Sequence, residues 1–320
     1  MKLFIDLLGI FINHESESKI NINNNNVSLS KFGNIIRCGG ISSGSYRNTI
    51  NSINVTRSFC TAAKPLPIEL EYNIINPTSA AKTGLDNSLD NIIILHGLFG
   101  AGSNWRSISP KIANESNCNV IQVDQRNHGS TKHVDEFNLL AMVEDLNLLI
   151  KSKNVKNLSL IGHSMGGKVA MLYALFYPES IHKLLIVDIS PHDLTRDTMD
   201  DFRRYLLAMK SLDLTTIKSR TQVEKYFEPV EQNIVIRRFL LTNLTLDENQ
   251  NYKWRVNIDS LLANLHELSR FPAPPGARYL GDTLFLGGGN SNFIREKDYP
   301  LIRKYFPNAQ IEIIPNTVSF

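Results

Sequence analysis

Cysteine is scarce in this chain, with three residues of that type among 320 amino acids. Cys38, Cys60 and Cys118 show no spacing typical of metal ligands. Cys38 and Cys60 also lie in a segment that we interpret as a removable leader, so Cys118 would be alone in the mature domain. This scarcity argues against a disulfide framework and against a zinc site.

Long apolar runs and a strong net charge are also missing. No stretch of about 18 consecutive apolar residues occurs, so we expect no membrane span. The formal net charge is +3 and the basic surplus lies near the N-terminus, which gives little support to nucleic-acid binding. A hydrophobic content of 42% in 320 residues is enough to bury one large core.

Acidic residues are absent between Glu17 and Glu69, although this segment carries several Lys and Arg residues among Ser, Asn and Thr. Such a composition is typical of a mitochondrial transit peptide. We therefore predict that residues 1–64 are a leader and that the mature protein is mitochondrial. The alternative is a disordered extension rich in asparagine, with residues 23–26 as its densest patch.

An apolar run that starts at Leu158 ends in residues 162–166, of sequence Gly-His-Ser-Met-Gly. This GxSxG pattern is typical of a nucleophile elbow, in which a sharp turn between a strand and a helix presents a serine. Apolar residues then recur at helical spacing until Pro178. We predict that Ser164 is a nucleophile, and the alternative is a tight turn with an incidental serine.

Residues 91–95, of sequence Asn-Ile-Ile-Ile-Leu, form a mostly aliphatic run that predicts a buried strand leading into residues 96–100, His-Gly-Leu-Phe-Gly. In hydrolases with such an elbow, this loop supplies one N–H of the oxyanion hole and the residue after the nucleophile supplies the other. We assign the loop donor to the backbone N–H of Leu98, with that of Phe99 as the alternative. We assign the second donor to the backbone N–H of Met165.

Seven separated motifs then resemble one family. They are residues 96–100 (His-Gly-Leu-Phe-Gly), 124–129 (Asp-Gln-Arg-Asn-His-Gly), 162–168 (Gly-His-Ser-Met-Gly-Gly-Lys), 187–191 (Val-Asp-Ile-Ser-Pro), 238–243 (Arg-Phe-Leu-Leu-Thr-Asn), 254–257 (Trp-Arg-Val-Asn) and 286–291 (Leu-Gly-Gly-Gly-Asn-Ser). Together they resemble the family of alpha/beta hydrolase domain-containing protein 11 and its bacterial esterase relatives, from about residue 66 to residue 316.

The resemblance implies a serine hydrolase that acts on carboxylic esters or thioesters of acyl or lipid type through an acyl-enzyme, without a metal or organic cofactor. At the level of the family it also implies association with the mitochondrial 2-oxoacid dehydrogenase machinery. The expected architecture is an α/β-hydrolase fold, with a mostly parallel sheet and helices on both faces. Its core would comprise residues 65–191 and 279–320, and residues 192–278, which break the alternation of strands and helices, would form a helical cap.

A serine hydrolase of this fold needs an acid after the nucleophile. The usual place holds Asn290, which cannot carry a negative charge. Asp188, at the end of the strand predicted beside the elbow strand, is our first candidate for the triad acid. Asp259, which stands in the cap where the family has an aspartate, is the second. The alternative for Asp188 is a carboxylate that caps the turn before Pro191.

The family also has a histidine, in a Pro-Asn-Ala-Gly-His type of turn after the last strand. This sequence reads Thr-Val-Ser-Phe after Pro315 and Asn316, and no histidine follows His266. Since a serine without a base is a weak nucleophile, we expect impaired activity in the chain as written. There are two explanations. The first, which we favour because the sequence departs from the family turn abruptly after Asn316, is a reading of the gene that stops too early. The second is a non-catalytic protein that binds a ligand or partner.

Overall fold

The computed structural model describes residues 65–80, 84–86 and 88–317, and two short strands nearer the N-terminus. These strands, β1 (Ile20–Ile22) and β2 (Asn25–Val27), pair in antiparallel fashion. The rest of the predicted leader, residues 1–64, lies outside the described residues, as do residues 318–320.

A seven-stranded sheet forms the centre of the protein, in the order β11-β10-β7-β6-β4-β5-β3. Its strands are β3 (Tyr72–Ile75), β4 (Asn91–Leu95), β5 (Asn119–Val123), β6 (Leu158–His163), β7 (Lys183–Val187), β10 (Asp282–Gly288) and β11 (Gln310–Ile314). All neighbouring pairs are parallel except β3 and β5. The predicted mostly parallel sheet is therefore confirmed.

Helices cover both faces of this sheet. Alternate side chains of each strand point to opposite faces, so each strand contributes to a buried cluster on either side. Ile93 and Leu95 of β4 pack into one buried cluster, with α2 (Leu139–Ser152) and α3 (Met165–Phe176). Ile92 and Ile94 pack into a second cluster on the other face, with α1 (Ser109–Ser116). Burial on both faces explains why these strands read as continuous aliphatic runs.

The segment between β7 and β10 departs from this alternation, and we call its residues 192–278 the cap. The cap contains α4 (Arg196–Ser211), α5 (Arg220–Tyr226), α6 (Ile234–Leu240), α7 (Ile258–Asn264) and the antiparallel pair β8 (Leu244–Leu246) and β9 (Tyr252–Trp254). A last helix, α8 (Tyr299–Tyr305), precedes β11. Among the described residues, no helix combines the length and the apolar character that crossing a membrane requires.

Candidate active site

Ser164 lies between the last residue of β6 and the first residue of α3, where the predicted strand, turn and helix are all present. Its backbone φ is 51°, an uncommon value for a residue with a Cβ atom. A Cβ at Gly162 would lie 2.5 Å from the carbonyl oxygen of Gly166, and one at Gly166 would lie 2.5 Å from that of Leu95. The two glycines of the motif are therefore a steric requirement of the turn.

The loop of residues 96–100 follows β4 and lies against this turn. A Cβ at Gly97 would lie 3.2 Å from the Cβ of Ser164. The N–H of Gly166 donates to the carbonyl of His96 at 3.1 Å, which ties the first turn of α3 to the loop. The two segments from which the oxyanion donors were predicted are therefore side by side.

The backbone N–H groups of this loop differ in what they bind. The Phe99 N–H donates to His128 Nε2 at 3.3 Å, and the Gly100 N–H donates to the Gly97 carbonyl at 2.9 Å. Within the described part of the chain, the N–H groups of Leu98 and Met165 have no hydrogen-bond acceptor. The geometry therefore favours Leu98 over Phe99 as the loop donor, and Met165 adds the positive end of the α3 dipole.

A cavity of about 850 Å³ opens onto Ser164, within the size range of small-molecule sites, which is about 300–1,000 Å³. Much of its lining is aromatic or aliphatic, contributed by Leu98, Phe99, Ile189, Leu194, Phe202, Tyr205, Ile236, Phe239, Leu240 and Phe293. Polar residues also line it, and the charged ones among them are Asp193, Asp197, Asp201, Arg295, Lys297 and Asp298. The cavity can therefore hold an apolar chain that carries a polar group.

Asp188 lies directly after β7, the strand next to β6, and its side chain is buried. Its Oδ1 accepts the Gly288 N–H at 3.2 Å and its Oδ2 accepts the Ser291 hydroxyl at 2.9 Å. The residue before it, Val187, accepts the Ser164 N–H at 3.0 Å through its carbonyl. The structure thus brings Asp188 to the same edge of the sheet as the elbow.

Asp259 occupies a different environment, in the first turn of α7 on the cap. Its side chain is 78% exposed and its Oδ1 lies 2.7 Å from Lys210 Nζ. It does not line the cavity that contains Ser164. The structure therefore does not bring the second candidate acid together with Ser164.

His192 is the one histidine among the residues that line the cavity in the described part of the chain. Its Nε2 lies 3.2 Å from Asp298 Oδ1. Burial lowers the pKa of His163 to about 4, against the opposing attraction of the Asp188 carboxylate. His96 and His128 are buried and support loops through their ring nitrogens.

The turn of residues 315–317 packs against the end of β10. Asn290 donates its N–H to the Thr317 carbonyl at 2.8 Å, and Gly289 donates to Ile314 at the same distance. Gly288, the residue before, donates its N–H to Asp188. The turn after which the resembling family carries its histidine is thus held beside the Asp188 carboxylate.

The sequence did not indicate two residues of this region. They are Ser291, which donates to Asp188, and Asn243, which donates to the loop of residues 96–100. Both stand in motifs that carry the family resemblance, but their contacts join residues 103 and 144 positions apart. No periodicity or spacing indicates such pairs.

Among the described residues there is no cluster of three or more His, Cys, Asp or Glu side chains able to hold a metal ion.

Comparison with known proteins agrees with this architecture. A sequence model described as "alpha/beta hydrolase fold" matches residues 90–223. The chain is 35% identical over 254 residues to the Mus musculus protein named sn-1-specific diacylglycerol lipase ABHD11, covering 78% of this chain and 79% of that protein. The Danio rerio protein of the same name is 34% identical over 285 residues, covering 84% and 86% respectively.

Among solved structures, a marine microorganism esterase superposes with a TM-score of 0.71 and 34% identity, covering 78% of this chain and 92% of that one. The fold, the elbow and these relatives define a serine hydrolase of the esterase and lipase type. The chain belongs to the alpha/beta hydrolase family, and the predicted fold class and resemblance are confirmed.

Proposed function

We propose that this chain hydrolyses carboxylic esters or thioesters of fatty-acid type, with Ser164 as the nucleophile. The observation that carries the proposal is the position of Ser164, on a strained turn that faces a largely apolar cavity beside two N–H groups without an acceptor. The name of the mouse relative makes an acylglycerol ester the first substrate to test.

In the proposed reaction the Ser164 Oγ bonds to the acyl carbon while its proton passes to a general base. The carbonyl oxygen becomes negative and accepts hydrogen bonds from the Leu98 and Met165 amides. The bond to the alcohol or thiol then breaks, the leaving group takes the proton, and an acyl-enzyme remains. Water repeats the attack and releases the carboxylic acid and the free serine.

Asp188 is the acid that we propose for this mechanism. A buried carboxylate with two hydrogen-bond donors is held in a fixed orientation, which is what stabilising an imidazolium requires. Asp259 is exposed and paired with Lys210, so its charge is screened by water. The base of the resembling family follows the turn of residues 315–317, which packs next to Asp188.

The cavity supports an acyl substrate because its apolar lining suits a hydrocarbon chain. Phe202 and Tyr205 from α4 and Phe239 from α6 all contribute to this lining. The charged residues that complete the cavity suit the more polar leaving group. We expect rates to rise with acyl length until the chain fills the apolar part.

A fluorophosphonate probe tests the nucleophile, since it bonds covalently to an activated serine. We expect labelling of the full chain, loss of labelling in Ser164→Ala, and retention in Ser190→Ala, which removes another serine from the same cavity. A panel of esters from acetyl to palmitoyl, followed by a diacylglycerol, then measures acyl preference. Equal labelling of Ser164→Ala and the unmodified chain would overturn the proposal.

The rival proposal is a protein that binds an acyl ligand without turnover. It is favoured because His192, the one histidine in the cavity lining among the described residues, lies beside Asp298, and no hydrogen bond joins it to Ser164. The two proposals differ in the same experiment, because a binding protein retains a fluorescent fatty acid but does not react with the fluorophosphonate.

We further propose a mitochondrial location, supported by the basic, acid-free composition between Glu17 and Glu69. A fusion of residues 1–64 to a fluorescent protein is expected to enter mitochondria, and a variant with Arg47 and Arg57 changed to Glu is expected to stay outside.

For a partner, we propose association with a 2-oxoacid dehydrogenase complex, which the family resemblance supports. Co-sedimentation with the purified complex tests this proposal.

A further inference from the structure

Phe99, in the loop beside Ser164, has an unusual backbone. Its φ is 62°, in the left-handed region that a bulky residue other than glycine rarely adopts. Such a conformation persists when surrounding contacts hold it in place. Phe99 directly follows Leu98, so its conformation also sets the direction of the peptide groups on either side.

Two side chains hold the main chain of Phe99 at both ends. Its N–H donates to His128 Nε2 at 3.3 Å, from the loop that follows β5. Its carbonyl accepts a hydrogen bond from Asn243 Nδ2 at 2.8 Å, from the cap. The loop is therefore fixed jointly by the core and by the cap.

The protonation of His128 follows from its partners. Its Nδ1 lies 2.9 Å from the Arg126 carbonyl, which can only accept, so Nδ1 carries the hydrogen. Nε2 is then an acceptor for the Phe99 N–H. Burial lowers the pKa of His128 to about 3, so the ring stays neutral and retains this acceptor.

Asn243 is fully buried, three residues after the end of α6, and its Nδ2 also donates to the Leu240 carbonyl at 3.2 Å. In the part of the chain that the structure describes, its Oδ1 has no hydrogen-bond partner. An unpaired buried oxygen costs stability, which the two hydrogen bonds donated by Asn243 Nδ2 offset.

The Phe99 side chain strengthens the link to the cap. Its ring packs edge-on against Phe202 and Tyr205 of α4, with centroid distances of 6.1 and 6.4 Å. The cap thus contacts Phe99 through both its carbonyl and its ring. A displacement of the cap would act directly on the residue next to the oxyanion donor.

We propose that Asn243 is a positioning residue, which acts from the cap with His128 to hold Phe99 so that the Leu98 N–H faces the oxyanion at Ser164. This inference rests on the proposed function, because it assigns the cap a role in the chemical step of that reaction. The cap therefore does more than line the cavity, since its correct placement completes the oxyanion hole.

The test compares Asn243→Asp and Asn243→Ala with Asn264→Ala as a matched control. Asn264 also bonds the cap to a core carbonyl, that of Asp135 at 2.8 Å, but does not contact the loop. We expect both Asn243 variants to lower kcat by about 10-fold to 100-fold with KM changed less than about 3-fold. The control is expected to match the unmodified chain.

Hydrogen exchange gives a readout that does not depend on activity. The peptide that covers residues 96–101 is expected to exchange faster in both Asn243 variants and at the original rate in the control. If the unmodified chain neither reacts with a fluorophosphonate nor turns over esters, the proposed function fails, and hydrogen exchange alone still decides this inference. Unchanged exchange in that peptide would overturn it, as would equal loss of kcat in the control.

A second pair of variants approaches the same contact from the core, which covers the case in which the Asn243 variants do not fold. His128→Gln keeps an oxygen near the position of Nε2, whereas His128→Leu removes the acceptor. We expect His128→Gln to restore kcat and slow exchange relative to His128→Leu. Identical behaviour of the two variants contradicts the proposal.

Discussion

The ammonium group of Lys168 lies 3.1 Å from the carbonyl oxygen of Ser269, which joins α3, the helix after Ser164, to the end of the cap. The same Nζ lies 3.2 Å from the Leu268 carbonyl and 3.4 Å from that of Arg270. Ser269 also accepts the Leu194 N–H at 2.7 Å, so the first and last parts of the cap meet here. One buried charge thus connects the cap with α3.

Replacing Lys168 by methionine is expected to lower the free energy of unfolding by about 2–3 kcal/mol. The side chain is buried, and its loss leaves three carbonyl groups without their charged donor. The control is Lys156→Met at an exposed position, where we expect a change within about 0.5 kcal/mol. Urea unfolding measures the stability of both variants. Equal midpoints for the two would contradict the stabilising role of Lys168.

The same lysine predicts how stability depends on pH. Burial lowers the pKa of Lys168 from 10.5 to about 8, against the opposing attraction of Asp193. Between these two values the unfolded chain binds a proton that the folded chain has released, so stability rises with pH. We expect the stability difference between the unmodified chain and Lys168→Met to grow from pH 8 to pH 10.5. Urea unfolding across this range checks it, and a flat difference is the contrary result.

Asp188 and Asp259 can be separated by activity. In the variant that carries Val318→Gly and Ser319→His, Asp188→Asn is expected to lower kcat/KM by about 10³-fold to 10⁴-fold, because a neutral amide does not stabilise the imidazolium of the introduced histidine. Asp259→Asn is expected to leave kcat/KM within about twofold, since an exposed ion pair contributes little. Ester hydrolysis by the two variants measures this, and the reverse order would identify Asp259 as the acid.

A histidine introduced after the turn of residues 315–317 tests where the base belongs. The double change Val318→Gly and Ser319→His recreates the order of the family turn directly after Thr317, whose carbonyl accepts the Asn290 N–H. We expect the rate of fluorophosphonate labelling to rise by about 10²-fold to 10⁴-fold, the usual contribution of a general base. Val318→Gly with Ser319→Gln is the control, and equal rates in the two double variants would exclude this placement.

Much of the fold could be predicted because its determinants are local. Strands buried on both faces are largely aliphatic, so β4 and β6 were visible as mostly apolar runs. The elbow was visible because the space around Gly162 and Gly166 excludes any side chain, which makes the spacing of the motif obligatory. The prediction of Ser164 followed from that motif together with the apolar run before it and the helical spacing after it.

Relations across the fold could not be predicted from sequence. Asp188 and Asp259 both stand at plausible positions along the chain, and only the order of the strands brings one of them to the elbow and leaves the other exposed on the cap. The bond between Asn243 and Phe99 spans 144 residues, and that between Lys168 and Ser269 spans 101. Sequence by itself therefore determined the sheet and the serine at its elbow, through hydrophobic pattern and local sterics, whereas tertiary packing decided which polar groups meet around them.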